Sequence, residues 1–108
     1  MTPSEIILEL QELTATNKKG VEALYEAETN LARTELELDQ TEAGAFISAA
    51  GSVAERSAVA KLESSEARFQ RDLAKAQVNR VRTKLRTIES AIMAQATMSK
   101  LMQAEMKL

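Results

Sequence analysis

The chain has 108 residues, and of its 48 hydrophobic residues 18 are alanine, so the apolar core it can build is thin. Cysteine and histidine are both absent, which excludes a disulfide framework, thiol chemistry and the commonest metal ligand and general base. A net charge of −2 hides a split: residues 1–50 carry ten acids against three bases, and residues 51–108 carry eleven bases against six acids.

Near the amino terminus, Thr2-Pro3-Ser4-Glu5 has the pattern of a capping box, with Pro3 at the first helical position. Ile6, Leu10 and Leu13 follow at helical spacing. Thr14, Thr16, Asn17 and Gly20 then weaken the pattern, which predicts a short helix over about 3–18 and a bend before Val21. The amino terminus has neither the basic start nor the apolar core of a signal peptide, and no apolar run approaches the ~20 residues of a membrane span. A soluble cytoplasmic protein that does not enter membranes is expected.

The second segment, about 21–49, repeats Leu24, Leu31, Leu38 and Ala45 every seven residues, with Val21, Ala27 and Thr34 as companions on the same seam. Its acids Glu22, Glu26, Glu28, Glu35, Glu37, Asp39 and Glu42 read as solvated surface, because a carboxylate metal centre of this kind usually needs a histidine partner. Gly51 can take the positive φ that ends a helix, and Ser52-Val53-Ala54-Glu55 forms a second capping box. So short a connection makes the flanking helices antiparallel neighbours.

A single helix is expected from Val53 to about residue 107, with an apolar face that changes midway. Leu62, Phe69, Leu73 and Ala76 share one stripe. From Val78 the stripe is Val78, Val81, Leu85, Ile88 and Ile92, about 100° further round. Either the helix bends near 77–80 or its halves meet different partners, and the second account is preferred. Pairing back from Gly51 exhausts the second segment at about Arg82, so Val81, Leu85, Ile88 and Ile92 are the expected oligomer interface. Met93, Met98, Met102 and Met106 suit either that seam or an adaptable partner contact.

Lys61, Arg68, Arg71, Lys75, Arg82 and Arg86 fall within about 80° of one another at 100° per residue, so they project from one helix face. Such a ladder suits phosphate tracking, with salt-sensitive and largely sequence-independent binding. It equally suits a solvated face, or a surface paired with the acids of the second segment. Phe69 is the only aromatic nearby, so a base-stacking platform is missing. No Gly-rich phosphate loop, nucleophile elbow or Cys/His metal spacing occurs, and no enzyme activity, cofactor or metal is expected.

The layout resembles phage recombination mediators of the UvsY type. The resemblance rests on Leu24-Tyr25-Glu26-Ala27, on the turn Gly51-Ser52-Val53-Ala54-Glu55-Arg56, and on the Ala-, Arg- and Leu-rich run from Ala67 to Ile92. It implies a cytoplasmic homo-oligomeric ring that binds single-stranded DNA and helps load a recombinase in place of a single-stranded DNA-binding protein. One departure stands out: the helix before the turn, Asp39 to Ser48, has no base, so DNA contact would fall to the row after the turn.

The expected architecture is a single all-α domain over 1–108. It is an antiparallel helical hairpin with a short N-terminal helix and a long C-terminal helix, oligomerising through helix three. The leading function is a non-enzymatic phage recombination or replication accessory protein that binds single-stranded DNA. The alternatives are a structural or adaptor coiled coil and a small protein-binding anti-defence inhibitor.

Overall fold

The computed structural model describes residues 2–107. They form three helices: α1 (Pro3–Ser48), α2 (Val53–Glu63) and α3 (Ser65–Met106), with no strand among the described residues. The chain divides into two compact units, both crossed by α1 and α3. Unit one is 1–24 with 80–108, and unit two is 25–79.

Both expected helix starts are present. The Glu5 amide donates to Thr2 Oγ1 and the Thr2 amide donates to Glu5 Oε2, each at 3.2 Å. At α2 the Glu55 amide donates to Ser52 Oγ at 3.2 Å, while the Ser52 hydroxyl donates to Glu55 Oε1. Gly51 has φ +110°, a region that a Cβ disfavours. A Cβ there would also sit 2.5 Å from Glu55 Oε2. Gly51→Ala is therefore expected to cost about 1–2 kcal/mol, read as a lower denaturant midpoint with unchanged slope.

The bend expected between residues 18 and 21 does not occur. Propensity at Thr14, Thr16, Asn17 and Gly20 is weak, but tertiary packing of one face overrides it. Thr16 keeps its hydroxyl inside the helix by donating to the Glu12 carbonyl at 2.9 Å. In unit one, Ile6, Leu10, Leu13, Asn17, Gly20 and Leu24 advance in alternating steps of four and three, and each is buried or half-buried. The seam thus passes through Gly20 and leaves the expected companion Val21 53% exposed. Gly20 fits because a Cβ would lie 2.6 Å from Leu85 Cδ2 on α3. Two amide oxygens along this unit, Asn17 Oδ1 and Gln95 Oε1, are buried without a hydrogen-bond partner.

In unit two, Ala27, Leu31, Thr34, Leu38 and Ala45 of α1 are buried or half-buried. They share the core with Ala60 of α2 and with Ala74 and Val78 of α3. The ion pair of Arg68 with Glu42, and the hydrogen bond that Arg56 Nε donates to the Phe46 carbonyl, show the chain folding back on itself antiparallel.

The expected single helix after the turn is interrupted at Ser64, not near residues 77–80. Ser64 has φ −91° and ψ 6°, and it is fully buried. The Lys61 carbonyl accepts from Ser64 Oγ at 3.3 Å and from Arg68 Nη1 at 3.4 Å. Side chains thereby compete for a carbonyl that would otherwise serve the helix ladder, a known way for serine to bend a helix. The seam crosses the interruption unchanged: Ala60, Ser64, Ala67, Arg71, Ala74 and Val78 again step by four and three.

Candidate interaction surfaces

Four members of the basic row, Lys61, Arg68, Arg71 and Lys75, lie in unit two, and Arg82 and Arg86 lie in unit one. Lys61, Arg68, Lys75 and Arg82 each follow a seam residue by one position, and Arg86 follows Leu85. The row therefore borders the seam instead of crowning the outer face of the helix. Arg71 occupies a seam position itself.

Arg68 shows what that placement does. Its Nη2 donates to Ser64 Oγ at 3.0 Å and lies 3.8 Å from Glu42 Oε2 on α1. Arg71 pairs with Asp72, Nε to Oδ1, at 2.8 Å. The side chains of Arg68 and Arg71 are only 34% and 28% exposed. One heptad from the Arg68–Glu42 pair, Lys75 and Glu35 occupy the equivalent positions. A partly exposed pair contributes about 0–1 kcal/mol, so these charges specify the pairing of helices more than they stabilise it. Lys75, Arg82 and Arg86 are exposed at the surface.

The expected oligomer interface is taken up inside the chain. Val81 and Leu85 are buried, Leu85 at 6% exposure, and Ile88 and Ile92 are half-buried. They continue the seam of unit one, because α1 runs on past Gly20 and supplies the partner face that a shorter second helix would have lacked. At the end of the same unit Pro3, Ile6 and Ile7 meet Ser99, Met102, Gln103 and Met106 around a cavity of about 50 Å³. The C-terminal methionines thus divide. Met102 is half-buried, while Met93, Met98 and Met106 are exposed.

Two contributors were not legible in the sequence. The Arg56 guanidinium lies 4.4 Å from the centre of the Phe46 ring, and its Nε donates to the Phe46 carbonyl at 3.1 Å. Together they close the turn from both sides of Gly51. Beside them an open groove of about 590 Å³ is lined by Asp39, Glu42, Ala43, Phe46, Ile47, Ser57, Ala60 and Lys61. No cluster of side chains suited to a metal ion occurs among the described residues. No described helix is long and apolar enough to cross a membrane.

No protein-family model, curated protein or solved structure matches this chain.

Proposed function

We propose that this chain is a non-catalytic, self-associating helical hairpin that serves as a structural or adaptor coiled coil. The observation that carries this reading is the engagement of Arg68, the centre of the basic row, with Ser64, the Lys61 carbonyl and Glu42 across the helices. A cation held by three groups of its own chain serves the fold first. Self-association is supported by the exposed apolar side chains of unit two, Leu36, Ile47, Leu62, Phe69 and Leu73.

A second reading is favoured by the exposure of Lys75, Arg82 and Arg86. In it the chain is an accessory protein of phage recombination or replication that contacts single-stranded DNA and helps load a recombinase. Lys75 and Arg86 make no ion pair among the described residues, so their charge is available to phosphates.

One variant separates the two. Changing Arg68, Arg71 and Lys75 together to Glu places like charges beside Glu42 and Glu35. In the adaptor reading it lowers stability by on the order of 2 kcal/mol, from lost pairs and new repulsion. In the DNA reading the same loss of stability is accompanied by loss of binding to a labelled single-stranded oligonucleotide that the wild type binds. Wild-type binding would then fall with salt by a slope of about −0.7 for each phosphate neutralised. Oligonucleotide binding by the wild type that survives the triple change would sink the DNA reading of this row. An unaltered melting curve would sink the adaptor reading.

A further inference from the structure

Unit two carries a second set of apolar rows that its own seam does not use. On α1, Leu36 and Ile47 each stand two residues beyond a buried seam residue, Thr34 and Ala45, and so point about 200° away from it. On α2 and α3, Leu62, Phe69 and Leu73 bear the same relation to Ala60, Ala67 and Arg71. All five side chains are exposed, Phe69 at 56%.

Gly44 points the same way. Gly20 and Gly51 answer to demands of the fold, but a Cβ at Gly44 would have nothing within 4 Å. A glycine in a helix interior weakens the helix, and nothing within the chain requires one here. It leaves an open notch beside Ile47 on the outer side of α1.

We propose that a second copy of this chain seats its Leu62–Phe69–Leu73 row on the Leu36–Ile47 row of the first, with Phe69 over the notch at Gly44. This inference rests on the self-association reading above and adds the faces and the symmetry. Two considerations identify the occupant as a second copy. The bulky row and the notched row belong to the same chain. Charge then selects which faces meet. Within unit two, α1 carries six acids and one base, whereas α2 and α3 carry five bases and four acids. Packing α1 on α1 would bring two acidic helices together, and packing α1 on α3 avoids that repulsion. A contact between different faces is heterologous, so each copy keeps one free face until the assembly closes on itself.

The test uses sedimentation equilibrium of the full chain across a wide concentration range, with circular dichroism as the control for folding. Phe69→Glu and Leu36→Glu each alter an exposed position, so each should stay helical and become monomeric. Mixed together they should form a two-copy complex and nothing larger, because one intact face remains on each. Gly44→Gln fills the notch with a good helix former. It should melt at the same temperature or higher, yet associate about tenfold more weakly or worse. A wild type that stays monomeric overturns the self-association reading and this proposal together. A Leu36→Glu variant that still dimerises, which would mean that α3 faces pair with each other, or a mixture that fails to reassociate, overturns this proposal alone and leaves self-association standing.

Discussion

Val59→Pro is expected to destabilise the chain by about 3 kcal/mol or more. Val59 lies in the middle of α2, which spans only Val53–Glu63. Proline there removes one ladder hydrogen bond and drives its ring against the carbonyl of Glu55. The damage is concentrated because α2 is short and both its ends are committed. Ser52 caps the start, and the buried Ser64 turn fixes the finish. Val53→Pro is the informative contrast. Val53 is the first residue of the helix, where the amide has no ladder partner and a fixed φ near −65° suits the backbone. Its effect should stay within about 0.5 kcal/mol, the usual range for surface changes. Chemical denaturation of both variants reads this difference directly. Comparable losses would mean that the helix does not begin at Val53.

Leu85→Ala should cost about 2–4 kcal/mol, through lost transfer energy and the cavity left behind. Leu85 is buried against the position of Gly20, whose missing Cβ makes the room that the leucine fills. Leu101→Ala, in the same unit and of the same chemistry, should change stability by no more than about 0.5 kcal/mol, because Leu101 is exposed. The loss at Leu85 should be independent of protein concentration. A loss that grows on dilution would instead place Leu85 between subunits, as its spacing in the sequence first suggests.

The all-α class, both helix caps and the turn at Gly51 were legible because each rests on local chemistry. Thr2 with Glu5, Ser52 with Glu55, and a glycine between two apolar segments are signals a few residues long. The seam was legible only in part, for a compositional reason. From Ala60 to Ala74 the seam is made of small residues and Arg71, while Leu62, Phe69 and Leu73 face outward. A reading that follows the largest apolar residues takes the outer row for the inner one, then meets an apparent shift of face at Val78. No shift exists; alanine gives way to valine, leucine and isoleucine along one line.

The basic row could be read from the sequence as a phosphate ladder, a solvated face or a surface paired with the acids of the second segment; it borders the helix pair, and Arg68 reaches Glu42. The weak propensity of Gly20 suggested a break, but its small volume at a seam position is what lets α1 pass close to Leu85. The stop at Ser64 had no local signature, since it depends on a hydroxyl and a guanidinium competing for the Lys61 carbonyl.

The central claim is that the helices before and after the turn pair within one chain, in the register that sets Glu42 beside Arg68. The native sequence has no cysteine, so the double variant Glu42→Cys with Arg68→Cys carries the only two thiols. Treated with a short bismaleimide at decreasing protein concentration, it should give one intramolecular product that runs at monomer mass in denaturing electrophoresis. Its yield should not change with dilution. A product found only at dimer mass, fading on dilution, would contradict the account.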